Sequence, residues 1–255
     1  MKRVVVKVGS AVLTQDGTIA SDRMQALVDF LANLRKNHEV ILVSSGAVAG
    51  GYTKIQLDRS VLKNKQALAA IGQPVLMERY TKKFDAYNII IAQVLVTAAN
   101  LSKEDDIKRI KNTVDTLIEN GVIPIVNEND ATATDELELG DNDQLSAYIT
   151  KHTDSDMLII LSDIDAYYDC DPRVDEDAKV LKTVNHIANS ELEKVATPNN
   201  IFATGGIVTK LKAANYLLES DKDMFLASGF DLSDIKSFML ENKHMGGTLF
   251  TTKDS

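Results

Sequence analysis

The chain has 255 residues, enough to bury a large hydrophobic core without disulfides. Hydrophobic residues make up 44% and charged residues 25%, the composition of an ordinary globular protein. The formal net charge of −9 disfavours nucleic acid and anionic membranes as partners, so an anionic substrate must be attracted by local lysines, helix N-termini or a divalent cation. A single cysteine excludes an intramolecular disulfide, and no apolar stretch approaches the roughly 20 residues that span a bilayer, so we expect a cytoplasmic protein.

Apolar runs alternate with segments of helical periodicity along the chain. Strands are predicted at 3–8, 40–43, 89–96, 122–126, 157–161 and 224–226, and the run GTLFT at 247–251 is consistent with a short edge strand. Helices are predicted at 21–36, 61–71, 74–87, 104–120, 144–150 and about 207–218, the second and third being separated near Gly72. Several strands are apolar throughout, which predicts a mainly parallel sheet covered by helices on both faces. No linker or repeat interrupts the pattern, so we expect one domain over 1–255.

The stretch 122–150 concentrates the polar residues that a ligand site needs. A buried strand is followed at once by Asn127, Glu128, Asn129 and Asp130, and a loop leads to Asp141, Asn142 and Asp143 at the start of a helix. Open α/β sheets bind ligands where their strands end, and amides with carboxylates can hold the charged head of an amino acid. The same residues would also suit a strand end, a surface loop and a capped helix without any ligand.

Three familiar binding motifs are absent or incomplete. Gly46 to Thr53 has the spacing of a Walker A loop, but Tyr52 stands where that motif needs its lysine. No G-x-G-x-x-G occurs, which disfavours a dinucleotide-binding dehydrogenase. The acidic residues Asp163, Asp165, Asp169 and Asp171 lack the glycine and terminal glutamate of a calcium loop, so we interpret this stretch as a solvated acidic loop.

Two lysines occupy unusual positions. Lys7 lies inside an apolar strand just before Gly9 and Ser10, and Lys210 lies in the first turn of a helix, where its charge opposes the helix dipole. Solvation alone could satisfy either lysine, but a bound anion would satisfy both. Two such lysines, glycine-rich turns and a cluster of acids and amides favour phosphoryl transfer.

Seven segments in fixed order carry a family resemblance: VVKVGS, SSGAVAGG, NEND, GDNDQLSA, LSDIDAYYDCDPR, TGGIVTK and GTLF. Together they resemble the amino acid kinase family, and within it the kinases that act on the side-chain carboxylate of L-glutamate. The resemblance covers nearly the whole chain. It implies a three-layer α/β/α sandwich around a mainly parallel sheet, and transfer of the ATP γ-phosphate as the first step of proline synthesis.

The resemblance also implies a role for each matching residue. The catalytic residues would be Lys7, Asp143 and Lys210, with Asp143 orienting the lysines. Glutamate would be bound by Ser45, Asp130, Asn142 and Asn127. The nucleotide would be bound by Lys7, Gly9, Ser10, Ser162, Asp163, Thr204, Gly205, Gly206, Ile207, Val208, Thr209 and Lys210. Mg²⁺ would be bound mainly through the ATP phosphates, without dedicated protein ligands.

The chain departs from the family pattern at a few points. Ala166 stands where a glycine is expected, and Val208 replaces a small or hydroxylated residue of the phosphate loop. Neither change removes a charge. Many members carry a further C-terminal PUA domain after GTLF, and we expect none here because the sequence continues for only a few residues beyond that segment.

Other functions remain open at this point. The chain could phosphorylate another acceptor, such as N-acetylglutamate, aspartate, carbamate or UMP, or it could be a non-catalytic sensor of an amino acid or nucleotide. If glutamate is the acceptor, the resemblance further implies feedback inhibition by proline, with the loop 131–139 as its expected location, and assembly into homodimers or homotetramers.

Overall fold

A mainly parallel sheet is the central layer of this computed structural model, which describes residues 1–132, 142–193 and 206–253. Its strands and those of a small hairpin are β1 (Lys2–Val8), β2 (Thr14–Gln15), β3 (Thr18–Ile19), β4 (His38–Ser44), β5 (Ile91–Val96), β6 (Ile123–Glu128), β7 (Met157–Ser162), β8 (Thr183–Val184), β9 (Asp223–Ser228) and β10 (Thr248–Phe250). The sheet order is β5-β6-β4-β1-β7-β9-β10-β8, and β2 pairs with β3 in the hairpin. Only β10 against β9 is antiparallel within the large sheet, as far as the chain is described.

Helices cover both faces of the sheet. They are α1 (Ser10–Leu13), α2 (Ser21–Leu34), α3 (Ala47–Tyr52), α4 (Leu62–Asp85), α5 (Ala98–Leu101), α6 (Glu104–Glu119), α7 (Asn142–His152), α8 (Asn189–Leu192), α9 (Ile207–Leu218) and α10 (Ser233–Glu241). One core lies between the sheet and α2, α4 and α10, and the other between the sheet and α6, α7 and α9. The predicted three-layer α/β/α fold class is therefore confirmed.

The central strand β1 divides its side chains between the two cores. Val4, Val6 and Val8 face the first core, and Val5 faces the second. Side chains alternate along a strand, so Lys7 lies on the same face as Val5. That face is covered by α7 and α9, and this geometry decides which partners Lys7 meets.

The prediction of two helices separated near Gly72 is wrong, because α4 runs without interruption through Gly72 and Pro74. A Cβ at residue 72 would lie 1.7 Å from the carbonyl oxygen of Ala47 and 2.3 Å from the amide nitrogen of Gly51. Gly72 therefore permits close packing of α4 on α3 rather than ending a helix. Packing along the buried face of α4 outweighs the local cost of the proline.

The expected edge position of the 247–251 run is also wrong. β10 lies between β9 and β8, and the edge of the described sheet on that side is the two-residue β8. So short a strand has no periodicity that would reveal it in the sequence. None of the helices in the described part of the chain has the length and apolar character needed to cross a membrane.

Candidate active site

Parallel strands bring four polar segments to the edge of the sheet that is formed by the carboxyl ends of the strands. Val8 of β1 is in register with Ser44 of β4 and Leu161 of β7, and Val43 of β4 is in register with Val126 of β6. The residues that follow these strands therefore lie near one another. This is the edge at which parallel α/β sheets bind their ligands.

A buried carboxylate joins the two unusual lysines at this edge. Asp143, in the first turn of α7, accepts from the Lys7 ammonium at 2.6 Å through Oδ1 and from the Lys210 ammonium at 3.2 Å through Oδ2. The Thr209 hydroxyl donates to the same Oδ2 at 2.8 Å. The exposed fractions are 4% for Lys7, 0% for Asp143 and 2% for Lys210. We call these four residues the ionic centre.

The charges of the ionic centre suit a bound anion. Two ammonium groups and one carboxylate sum to one positive charge in a region shielded from water, where electrostatic interactions are strong. Asp143 lies in the first turn of α7, and Thr209 and Lys210 lie in the first turn of α9, so both helix N-termini bring partial positive charge near the ionic centre. Both Asp143 oxygens already bind cationic groups, so this carboxylate is not placed to be a metal ligand.

Amide side chains form a second cluster beside the first. The Asn142 amide nitrogen donates to the Ser45 hydroxyl at 2.8 Å and to Asn127 Oδ1 at 3.1 Å. Asn127 Nδ2 donates to Gln73 Oε1 at 3.0 Å, and Gln73 Nε2 donates to Gln93 Oε1 at 3.0 Å. We call these five residues the amide centre. Because Asn142 and Asp143 are consecutive, the first turn of α7 joins the two centres.

The segment after β4 is supported from α4. The Ser44 hydroxyl donates to the Ser45 carbonyl at 3.0 Å and lies 2.8 Å from the Tyr80 hydroxyl. Because the single Ser44 proton is already committed, Tyr80 is the donor in the second bond. Burial raises the pKa of Tyr80, which keeps this donor protonated. Gly46 follows with φ of +106°, a conformation that favours glycine, and α3 begins directly after it.

The remaining predicted residues are distributed around the same edge. The Gly9 amide donates to Leu161 O at 3.0 Å, and Ser10 begins α1. The Ser162 hydroxyl donates to Asp163 Oδ1 at 2.9 Å at the end of β7. Asp130 is half-buried in the turn after β6.

The phosphate loop is described only in part. Gly206 precedes α9, whose first turn contains Ile207, Val208 and Thr209. Thr204 and Gly205 lie outside the described residues, and so does most of the loop at 131–139 in which we expected the effect of proline. Ala166 and Val208, the two departures from the family pattern, are both buried, with exposed fractions of 2% and 4%.

Three neighbours of the site did not emerge from the sequence. Gln73, Gln93 and Tyr80 touch predicted site residues or their supports, yet each belongs to an element that we interpreted only as scaffold. A weak signal existed for Gln73, which is a polar residue within the apolar segment AAIGQPVL. A buried glutamine needs hydrogen-bond partners, so its position could have been questioned.

A mainly parallel sheet whose strand ends carry two lysines held by one buried carboxylate is an arrangement that suits phosphoryl transfer to small molecules. The model of the amino acid kinase family matches residues 2–228. The chain belongs to the amino acid kinase family.

Individual relatives agree with this assignment. Glutamate 5-kinase of Wolinella succinogenes is 49% identical over 255 residues, covering 98% of this chain and 98% of the relative. Glutamate 5-kinase of Leishmania donovani is also 49% identical, covering 100% of this chain and 97% of the relative. The solved isopentenyl phosphate kinase of T. acidophilum has a TM-score of 0.67 at 15% identity, covering 97% of this chain and 99% of its own, and it supports the fold alone.

Proposed function

We propose that this chain catalyses the ATP-dependent phosphorylation of the side-chain carboxylate of L-glutamate, giving L-glutamyl 5-phosphate for proline biosynthesis. The bridge from Lys7 through Asp143 to Lys210 is the observation that carries this proposal. Full-length similarity to relatives named glutamate 5-kinase supports it, because the chain and those relatives have nearly the same extent. The whole of 1–255 acts as one kinase unit in this proposal.

The ionic centre carries the chemistry. The attacking carboxylate of glutamate is already ionised at neutral pH, so no general base is needed. Carboxylate and triphosphate repel each other, so catalysis consists mainly of positioning and charge neutralisation. Lys7 contacts the transferring phosphoryl group, and Lys210 stabilises the oxygen that leaves with the β-phosphate. Asp143 keeps the two ammonium groups in register.

The amide centre and its neighbour Asp130 bind the amino acid. Asp130 pairs with the α-ammonium of glutamate, while Ser45, Asn142 and Asn127 provide hydrogen bonds to its polar groups. An acceptor without an α-ammonium, such as N-acetylglutamate, would give the Asp130 carboxylate no cation to pair with.

The nucleotide occupies the other side of the ionic centre. Its phosphates are bound by Lys7, Lys210 and backbone groups of Gly9, Ser10 and the segment 204–209, and Ser162 and Asp163 lie at the nucleotide end. Magnesium bound to the ATP phosphates neutralises part of their charge. Asp143 would not be its ligand, since both oxygens of this carboxylate are engaged by cationic groups.

Regulation and assembly follow as further parts of the proposal. Proline, as the end product of the pathway, inhibits the enzyme, and the chain forms a homodimer or homotetramer. Inhibition assays with proline and measurement of the mass in solution test these points. The cytoplasmic location stays a prediction.

One assay tests the proposed activity directly. Purified protein is incubated with ATP and Mg²⁺ plus glutamate, aspartate, N-acetylglutamate or no acceptor, and the acyl phosphate is trapped with hydroxylamine. We expect hydroxamate with glutamate alone. Reaction with another acceptor would refute the assigned substrate, and binding of ATP or glutamate without any turnover would favour a sensor.

A further inference from the structure

The amide centre forms a continuous line of hydrogen bonds from the outer strand of the sheet to the site. It starts at Gln93 on β5, passes through Gln73 on α4 and Asn127 on β6, and ends at Asn142 on α7. Gln93 is exposed, whereas Gln73 and Asn127 have exposed fractions of 8% and 2%. Four separate elements thus meet in one line, although the bonded residues are far apart in sequence.

One backbone group sets the direction of this line. The Glu128 amide nitrogen donates to Asn127 Oδ1 at 2.9 Å, so this end of the Asn127 amide must be oxygen. Asn127 Nδ2 then faces Gln73, which must present Oε1 to accept it. Gln73 Nε2 is left to donate to Gln93 Oε1. A flip of either glutamine would oppose two donors or two acceptors, so each amide restricts the next.

The same logic fixes what the site presents to a substrate. Asn142 must donate its Nδ2 to Asn127 Oδ1, and that group also donates to the Ser45 hydroxyl oxygen at 2.8 Å. Since the Ser45 oxygen accepts this bond, its proton is directed elsewhere and suits a carboxylate oxygen. Asn142 Oδ1 is the acceptor end and suits an ammonium group. Together Ser45 and Asn142 match the carboxylate and ammonium of an amino acid.

We propose that Gln73 and Gln93 are positioning residues that hold Asn127, and through it Asn142, in place, and so set the preference for an acceptor with an unmodified amino acid head. The Glu128 amide determines which end of the Asn127 amide is oxygen, and the bond from Asn127 Nδ2 to Gln73 fixes the position of that side chain. The proposal rests on the proposed function, since it assigns a specificity to the same site. Gln73 should make the larger contribution to this positioning, because it is buried and forms hydrogen bonds on both sides. Gln93 carries the smaller part, because water can replace an exposed partner.

The test compares glutamate with glutarate, which has the reacting carboxylate but no α-ammonium. Gln73→Leu keeps most of the side-chain volume and removes both hydrogen bonds. We expect its glutamate KM to rise about tenfold, equivalent to about 1.4 kcal/mol, and its preference for glutamate over glutarate to fall by a similar factor. The KM for ATP should stay within about twofold of the wild type, since the ionic centre is intact.

Two further variants separate positioning from packing. Gln73→Glu retains an oxygen that accepts from Asn127, so it should recover most of the glutamate affinity that Gln73→Leu loses. Gln93→Ala should raise the glutamate KM only about two- to threefold, as expected for an exposed partner. Gln25→Leu is the matched control, because Gln25 bonds to Asp29 on α2 outside the amide centre. It should leave all constants unchanged.

The outcomes distinguish this inference from the proposed function. If the wild type forms no hydroxamate with glutamate, the proposed function fails. If the wild type is active and Gln73→Leu keeps the glutamate KM and glutarate discrimination of Gln25→Leu, the positioning role is wrong. Should Gln73→Leu fail to fold by circular dichroism, Gln93→Ala decides the matter, and a glutamate KM equal to that of the wild type would overturn the proposal.

Discussion

The ionic centre and the amide centre include neighbouring residues of α7, but they differ in charge and in burial. Asp143 gathers two full positive charges in a fully buried position, where no water replaces a lost partner. Half-buried Asn142 begins a line of dipoles that runs through buried Asn127 and Gln73 and ends at exposed Gln93. The concentrated charge of the ionic centre suits the stabilisation of a transition state. The oriented hydrogen-bond donors and acceptors of the amide centre suit the recognition of an acceptor.

This difference predicts separable kinetics. Damage to the ionic centre should lower kcat for every acceptor, because it removes interactions that are strongest in the transition state. Damage to the amide centre should raise the KM for glutamate and change the preference among acceptors. The largest effects are therefore expected in the ionic centre and the smallest outside both centres.

Removal of the bridging carboxylate should cause the largest loss. Asp143→Asn leaves two buried ammonium groups without their shared anion, which should cost about 3–5 kcal/mol of unfolding free energy. We expect kcat to fall by about 10²- to 10³-fold or more, as for other losses of transition-state stabilisation. Urea unfolding and the hydroxamate assay measure the two effects.

A second variant separates stability from catalysis in the ionic centre. Asp143→Asn combined with Lys210→Met removes one of the two uncompensated charges, so it should be more stable than Asp143→Asn alone yet no more active. Glu78→Gln is the control, since its ion pair with Lys82 is exposed and should contribute little. Equal stability of the single and double variants would show that the Lys210 charge does not destabilise the fold when the Asp143 carboxylate is absent.

Loss of the Asp130 carboxylate, in the turn after β6, should have the next largest effect. Asp130→Ala removes the proposed partner of the α-ammonium, so the glutamate KM should rise about 10- to 100-fold while kcat changes little. Asp85→Ala, at an exposed position at the end of α4, serves as the control. A glutamate KM that stays unchanged in Asp130→Ala would contradict the assignment.

The two centres also differ in how far the sequence predicts them. Lys7 and Lys210 are charged residues in places where charge is unusual, and the family resemblance joins them to Asp143 from the order of the motifs alone. The bond from Asn127 to Gln73 spans 54 residues and that from Gln73 to Gln93 spans 20. The sequence does not single out a glutamine in a helix, because the orientation and hydrogen-bond partners of its side chain are set only when the elements pack together.

The same distinction applies to the fold. The strands β1, β4, β6 and β7 follow from continuous apolar runs, and the predicted mainly parallel sheet is confirmed. The break predicted near Gly72 fails because local signals cannot reveal that α3 packs against this glycine. Packing between distant segments outweighs local preference at this point.

A smaller effect is expected from the support beneath Ser45. Tyr80→Phe removes the donor to Ser44 and should cost about 0.5–1.5 kcal/mol of stability. The glutamate KM should rise by about two- to threefold, because the segment after β4 loses part of its support. Tyr87→Phe is a matched control, since its hydroxyl bonds to Asp29 at an exposed position. Equal KM values in the two variants would separate Tyr80 from substrate binding.

The smallest effect concerns a region outside both centres. His38 begins β4, the strand whose other end is Ser44, and burial lowers its pKa in the folded state. The unfolded chain therefore binds more protons between the folded pKa and about 6.5, and stability should fall as pH drops below about 6.5. His38→Gln should reduce this acid-induced loss of unfolding free energy, by well under about 1 kcal/mol because the group is only partly buried.

His152, whose pKa is lowered by burial and by Lys151, should retain its own part of the slope in that variant. His186→Gln, at an exposed position, controls for the substitution itself. Unfolding free energies at several pH values measure the slope, and kcat should be the same in His38→Gln and the wild type. A lower kcat in His38→Gln than in the wild type would show that the far end of β4 affects catalysis. The ionic centre and the amide centre would then not account for all residues on which activity depends.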